Sequence, residues 1–130
     1  MSNSDEFSQC PCTGKTLARI IQPAVLALLA GKPLHGYVIV QQLKGLKMFQ
    51  GESPDPAGVY RVLRAMEQRG LLTASWDTGR AGPAKRQFTI TERGQACLNR
   101  WGRTLEEYAE SIGDLLATIH SACNGRRTAR

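Results

Sequence analysis

The sequence predicts a mainly helical chain with a small two-stranded antiparallel hairpin and a long C-terminal helix. Three observations support this fold class. Apolar residues recur at helical spacing in three segments before residue 70, alternate with polar residues between residues 71 and 91, and then recur every three or four residues up to residue 119. A chain of 130 residues is long enough to bury one core and too short for two. We therefore expect one small domain that continues into a helix.

The net charge of the chain is positive. Lys and Arg number 17 against 11 Asp and Glu, which gives +6 and favours a polyanionic partner, nucleic acid above all. The longest apolar run, residues 23–30, is far shorter than the roughly 20 residues of a membrane span. The polar N-terminus, with Asp5 and Glu6, lacks the basic start and apolar stretch of a secretion signal. We therefore expect a cytoplasmic protein that does not enter a membrane.

The first two helices follow a polar head, residues 1–15. Pro23 suits the first turn of a helix, because proline gives up only an N–H that has no partner there. Gly31 ends this helix, and its apolar residues cover most of its circumference, so we expect it at the centre of the core. After a turn at residues 33–36, a second helix is expected to end near residue 45.

The third helix has the clearest start and end. Asp55 suits its N-cap, Pro56 its first position, and Gly70 supplies the left-handed residue that commonly ends a helix. Its buried face is predicted to carry Val59, Val62, Leu63 and Met66. The opposite face carries Tyr60, Arg61, Arg64 and Gln68. A basic face with one aromatic residue is therefore expected to point to solvent.

The hairpin follows at residues 71–91. In the first strand, the apolar residues Leu72, Ala74 and Trp76 alternate with polar residues. In the second strand, Arg86, Phe88 and Ile90 alternate with Gln87 and Thr89. The loop between them, residues 78–84, carries Arg80 near its tip. Three helices followed by a basic hairpin is the order of a winged helix-turn-helix, in which the second helix of the turn motif lies in the major groove. We assign this domain to residues 16–91.

Three segments resemble the PadR family of transcriptional regulators. They are LHGY at residues 34–37, VYRVLRAMEQRGLL at residues 59–72 and KRQFTITERG at residues 85–94, and the resemblance covers about residues 22–98. It implies a dimeric, repressor-type protein that binds double-stranded DNA and dimerises through its C-terminal helix. It also implies a small, often aromatic, effector molecule bound at the dimer interface.

The resemblance also implies which residues contact DNA. Tyr60 matches the aromatic residue of the family's recognition helix, and Lys85 and Arg86 match the basic pair of the wing. Gly58 departs from the family, which usually has a hydroxyl residue there, and Arg61 stands where proline is frequent. The candidate DNA-binding residues are therefore Tyr60, Arg61, Arg64, Arg80, Lys85 and Arg86. Because a surface arginine is often only solvated, we expect about half of them to touch DNA.

Three neighbouring residues of the first matched segment are expected to be structural. Tyr37 is expected to pack in the core, His35 to cap or fill a turn, and Gly36 to allow close packing at the start of the second helix.

The C-terminal helix, residues 92–123, carries a heptad pattern. Its apolar residues are separated by three or four positions and form a stripe, Leu98, Trp101, Leu105, Tyr108, Ile112, Leu115 and Ile119. Since the chain offers no second long helix, the expected partner is another copy of the chain in a twofold dimer. The alternative is that the stripe packs on the first helix of the same chain. A basic tail, residues 124–130, is expected to be disordered.

Trp101 and Tyr108 offer stacking surfaces to an effector, although filling the helix seam explains both rings as well. Catalysis is not expected, because the sequence contains no phosphate-binding glycine loop, nucleophile elbow or zinc-protease motif. A winged helix that binds protein instead of DNA is a further alternative, but the basic third helix argues against it.

The cysteines suggest an alternative, metal- or thiol-redox-responsive regulator. His120 and Cys123 are three positions apart on a helix and face the same side. With Cys10 and Cys12 from the head of a partner subunit, they would form a set of three thiolates and one imidazole that suits zinc. The competing interpretation is an unreactive head, and Cys97 is expected to be an ordinary buried thiol.

Overall fold

The computed structural model of the chain describes residues 20–49, 55–77 and 85–128. These residues form two compact units with the boundary between Ala96 and Cys97. Within the described ranges, no helix combines the length and apolarity that a membrane crossing needs. Cys10, Cys12 and Arg80, which the sequence analysis singled out, lie outside these ranges.

The described elements follow the predicted order of three helices, a hairpin and a long helix. They are α1 (Ile21–Gly31), β1 (Leu34–His35), α2 (Gly36–Lys44), a 3-10 helix (Lys47–Phe49), α3 (Pro56–Gln68), β2 (Leu72–Asp77), β3 (Lys85–Ile90) and α4 (Glu92–Thr128). The predicted fold class is therefore confirmed.

The core lies where α1, α2 and α3 meet the sheet. Val25, Leu26 and Leu29 make α1 the central helix, as its all-round apolar sequence predicted. The predicted stripe on α3 is buried at Val59, Leu63 and Met66, and Val62 is half-buried beside it. Further buried apolar residues are Leu34, Ile39, Val40, Leu43, Phe49, Leu71, Leu72 and Phe88.

Local signals fix both ends of α3. The side chain of Asp55 accepts a hydrogen bond from the backbone N–H of Gly58 at 3.3 Å, and Pro56 occupies the first turn. Beyond the last turn, Gly70 has a φ of +80°, a conformation that glycine adopts at little cost. The chain therefore turns sharply after α3, and β2 begins at Leu72, two residues after Gly70.

The sheet has three antiparallel strands in the order β1-β3-β2, whereas the sequence predicted only the β2–β3 hairpin. Leu72 lies opposite Ile90, Ala74 opposite Phe88, and Trp76 opposite Arg86. The added strand places Leu34 opposite Phe88. A strand of two residues is too short to show a period of two, and so no pattern in the sequence indicates β1.

Thr91 joins the end of α3 to the start of α4. Its hydroxyl lies 2.7 Å from the carbonyl oxygen of Gly70 and 3.0 Å from that of Leu71, and it accepts a hydrogen bond from the N–H of Gly94 at 3.0 Å. A Cβ atom at position 94 would lie 2.2 Å from the oxygen of Leu71. The absence of a side chain at Gly94 therefore allows the first turn of α4 to reach this turn of the backbone.

Helix α4 is 37 residues long and ends at Thr128. The expectation of disorder from residue 124 is wrong for residues 124–128, which are helical. Asn124 and Gly125 do not end the helix, because no proline follows them and arginine, the next residue, has a high helix propensity.

Candidate nucleic-acid interface

A cleft of about 320 Å³ lies where α2 and α3 meet strand β3. We call it the helix–wing cleft, and it is lined by Gly36, Tyr37, Tyr60, Arg64, Lys85, Arg86 and Phe88. Four of these, Tyr60, Arg64, Lys85 and Arg86, belong to the candidate DNA-binding set. The structure thus brings residues from the third helix and the wing to one place, although they are far apart in the sequence.

Tyr60 projects from α3 into this cleft and is 40% exposed. Its ring lies against the first residue of α2, because a Cβ atom at Gly36 would come within 2.5 Å of the ring carbon Cε1. Glycine at position 36 is therefore what allows the ring to occupy this position. The expected role of Gly36 in close packing has a specific partner, the ring of Tyr60.

Tyr37 is not in the core, contrary to the sequence expectation. It is 46% exposed and lines the cleft, with the ammonium nitrogen of Lys85 4.9 Å from its ring centroid. Its other neighbour is His35, whose ring is stacked on it with centroids 5.9 Å apart. The signal that would have found this exposure is the spacing of Tyr37 with Gln41 and Lys44, since residues four and seven positions on share one helix face and all three are exposed.

His35 links the base of the cleft to the wing. Its Nε2 atom lies 3.0 Å from the Oδ2 atom of Asp77, and both side chains are mostly buried. Because Asp77 is the last residue of β2, this contact ties the start of α2 to the outer end of the hairpin. His35 thus supports both the wing and the stacked ring of Tyr37, which extends the turn-filling role expected of it.

Arg86 has partners within the domain. One terminal nitrogen, NH2, donates to both carboxylate oxygens of Glu67, each at 3.1 Å. The guanidinium carbon lies 5.7 Å from the ring centroid of Trp76 and 5.5 Å from that of Phe88. Among the described residues, its Nε atom is buried without a hydrogen-bond partner. Sequence reasoning missed Glu67, because it is 19 positions from Arg86 and lies on a different element.

The arginines of α3 point in two directions. Arg64 is exposed and lines the helix–wing cleft. Arg61 is also exposed but lines a different hollow, of about 470 Å³, together with Ile21, Asp55 and Gly58. In the described part of the chain, Arg64 and Lys85 form no ion pair, so both cations remain available to an external anion.

The second unit carries the apolar stripe and the two candidate effector-binding rings. Trp101 is half-buried and lines a hollow of about 210 Å³ with Cys97, Arg100 and Thr104, whereas Tyr108 is 60% exposed. Leu98 and Leu105 are half-buried, and Ile112, Leu115 and Ile119 are exposed. The structure places the stripe on one continuous helix, as the heptad spacing predicted.

Two of the four candidate zinc ligands can be located. His120 and Cys123 are exposed on α4. No group of three His, Cys, Asp or Glu side chains within residues 20–49, 55–77 and 85–128 is arranged to hold a metal ion. The thiol of Cys97 is half-buried, close to the expectation for an ordinary core cysteine.

Comparison with solved structures shows the same fold in other proteins. A PadR family transcriptional regulator from Eggerthella lenta has a TM-score of 0.69 at 24% identity, over 89% of this chain and 93% of that one. A PadR family transcription regulator from Clostridium difficile has a TM-score of 0.67 at 18% identity, over 75% of this chain and 98% of that one.

A third structure is that of Bacillus subtilis PadR in complex with operator DNA, with a TM-score of 0.56 at 25% identity, over 64% of this chain and 46% of that one. No match was found among curated proteins. The sequence model of the transcriptional regulator PadR-like family matches residues 25–100, which is more than half of the 130 residues. The chain belongs to the PadR-like family of transcriptional regulators.

Proposed function

We propose that the protein is a dimeric, sequence-specific DNA-binding repressor that contacts duplex DNA through α3 and the wing. The observation that carries this proposal is the convergence of Tyr60, Arg64 and Lys85 on one exposed cleft. Arginine, lysine and tyrosine are side chains that contact DNA phosphates and base edges. The B. subtilis PadR structure with operator DNA, which shares this fold, supports the same assignment.

The contacts of the candidate residues divide them into residues that bind DNA and one residue that supports the wing. Tyr60, Arg64 and Lys85 bind DNA at the cleft, and Arg61 and Arg80 add phosphate contacts. Arg86 instead holds the wing against α3, because its guanidinium is bound to Glu67. A wing held in this way keeps Lys85 at a fixed distance from the recognition helix, which reduces the entropy lost on binding.

The apolar stripe of α4 supports dimerisation. Tyr108, Ile112, Leu115 and Ile119 are between 47% and 62% exposed in the single chain. Apolar side chains repeated along one side of a long helix bury their surface most readily against another helix with the same spacing. A twofold dimer would present two copies of α3 to a palindromic site, and occupancy of a promoter would block transcription.

Release from DNA would come from a small molecule at the dimer interface. Trp101 and Tyr108 stand on the stripe, and aromatic rings bind flat apolar ligands by stacking. A ligand that changed the packing of the two α4 helices would change the separation of the recognition helices and lower the affinity for the site.

The test is selection of bound sequences from a library of random duplexes, followed by titration of the selected duplex with fluorescence anisotropy. We expect a short inverted repeat and an affinity that falls at least about 100-fold between about 50 and 200 mM salt, because bound cations release counterions from phosphate. Light scattering after gel filtration should give the mass of two chains. A single-chain mass at micromolar concentration, together with no selected sequence, would contradict the proposal.

A further inference from the structure

We propose that the helix–wing cleft holds one phosphate group of a DNA strand and that the hydroxyl of Tyr37 is one of its ligands. This inference rests on the proposed function, that α3 and the wing bind duplex DNA, and it adds a residue of α2 to the binding site. Four side chains would surround the phosphate, the phenols of Tyr37 and Tyr60 and the cations of Arg64 and Lys85.

The charge of the cleft suits an anion. None of the described residues that line it is acidic, and the nearby carboxylate of Glu67 is bound to Arg86. Arg64 and Lys85 form no ion pair among the residues that the structure describes. An anion that enters the cleft therefore meets two cations without displacing a carboxylate from either of them.

The hydrogen-bonding groups also suit a phosphate. A phosphate oxygen accepts hydrogen bonds and does not donate them, and each tyrosine hydroxyl and each cation of the cleft can donate. Tyr37 and Tyr60 are 46% and 40% exposed, and both side chains line the cleft. A cleft of about 320 Å³ accommodates a group of this size, since small-ligand sites begin at roughly 300 Å³.

The ring of Tyr37 is held in place before any ligand binds. The ammonium of Lys85 lies over it at 4.9 Å, the ring of His35 is stacked on it at 5.9 Å, and His35 is itself bound to Asp77 at 3.0 Å. Lys85 and His35 therefore restrain the exposed ring directly, and Asp77 restrains it through His35. Such pre-arrangement lowers the entropic cost of binding a ligand.

The experiment pairs protein variants with single neutral phosphates in the DNA. A duplex selected by the wild-type protein is synthesised with one methylphosphonate at a time, and the dissociation constant of each duplex is measured for the wild type and for the double variant Tyr37→Phe, Lys85→Gln. Circular dichroism and thermal melting check that the variant folds. Tyr37→Phe retains the ring and its stacking, and so it removes only the hydroxyl.

We expect one position in each half-site at which the methylphosphonate weakens wild-type binding about 10-fold, the effect of one charged hydrogen-bonded contact. At that position the double variant should lose less than about 2-fold, because its cleft no longer holds the phosphate. Lys44→Gln removes an exposed charge from α2 outside the cleft, and its profile along the DNA should match that of the wild type.

Two results would overturn the inference in different ways. If the wild type binds duplex DNA and no position shows this coupling, the cleft does not hold a phosphate, and the proposed function stands without it. If the wild type binds no duplex at all, the proposed function fails and the cleft assignment fails with it. Inorganic phosphate that shifts the amide resonances of Gly36 and Tyr37 without any coupling on DNA would make the cleft a small-anion site and would also overturn the assignment.

Discussion

The helix–wing cleft and the second half of α4 are both exposed in the single chain, but their surfaces have opposite chemistry. The cleft presents two phenols together with Arg64 and Lys85, two cations that form no ion pair with any described residue. Helix α4 presents aliphatic side chains, and residues 104–125 contain four acidic residues and neither lysine nor arginine. A polyanion is therefore attracted to one surface and repelled by the other. The net charge of +6 is therefore distributed unevenly along the chain.

The two surfaces should also respond differently to salt. Contacts between cations and phosphates weaken steeply as the salt concentration rises, because the release of counterions from DNA then gains less free energy. Burial of aliphatic groups does not depend on charge. We therefore expect DNA binding to be lost in a salt range where the dimer persists. Each of the following variants changes residues on only one side of the boundary between Ala96 and Cys97.

The largest effect is expected from placing charges in the stripe of α4. Ile112→Glu together with Leu115→Glu should weaken the dimer at least about 100-fold, because each side chain contributes about 1.5–3 kcal/mol on burial and each appears twice in the interface. DNA affinity should fall with it, since a single recognition helix lacks its linked partner. Sedimentation velocity measures the dissociation of the dimer, and fluorescence anisotropy measures the affinity for DNA.

The matched control for this variant is Ala117→Glu, which adds a carboxylate to an exposed position of α4 outside the stripe. It should leave the dimer intact. A dimer that survives both variants equally would show that the stripe is not the interface.

The second largest effect is a loss of DNA affinity when the ring of Tyr60 is displaced. Gly36→Ala places a methyl group where Cε1 of Tyr60 lies, and the exposed ring must move because it is more mobile than the helix backbone. We expect about a 10-fold loss of DNA affinity, as for a displaced interface residue, while thermal stability changes by less than about 1 kcal/mol since alanine favours the helix.

Gly31→Ala provides the comparison, because nothing lies within 4 Å of a Cβ atom at Gly31. It should bind DNA like the wild type. If Gly36→Ala also binds normally, the position of the Tyr60 ring does not matter for the interface.

A smaller effect is expected where the wing is held against α3. Glu67→Gln and Arg86→Gln should each lower the free energy of unfolding by about 1 kcal/mol, the value of a partly exposed ion pair with two hydrogen bonds. The double variant should be less destabilised than the sum of the single variants, because both remove the same contact. Urea denaturation measures the free energy of unfolding of all three variants. If the losses of the two single variants add up to that of the double variant, Glu67 and Arg86 are not coupled.

The smallest effect is expected at the start of α3. Asp55→Ala removes the side chain that accepts from the N–H of Gly58, and it should cost about 0.5–1 kcal/mol because the bond is 3.3 Å long and exposed. Asp55→Asn retains an oxygen in the same place and should recover most of the loss. Equal melting temperatures for Asp55→Ala and the wild type would contradict this role.

The elements that the sequence predicted well are those determined by local signals. The Asp55-Pro56 pair and Gly70 mark the ends of α3, and the repeated apolar spacing marks α4, because caps and periodicity depend on neighbouring residues only. The convergence of Tyr60, Arg64 and Lys85 was also predictable, since the order of elements fixes which helix lies beside the wing.

The features that were missed depend on contacts between distant parts of the chain. The pairing of Leu34 with Phe88 adds a strand across 54 positions, and Glu67 binds Arg86 across 19. Periodicity carries no information about such partners.

The contact between Gly94 and the carbonyl oxygen of Leu71 also determines how the gene tolerates mutation. Any side chain at position 94 would collide with backbone, which cannot rotate away as a flexible side chain can. Gln95 and Ala96, the next two residues, are exposed. In a library of random codons across residues 94–96, the functional clones should retain only glycine at the first position and accept many amino acids at the other two.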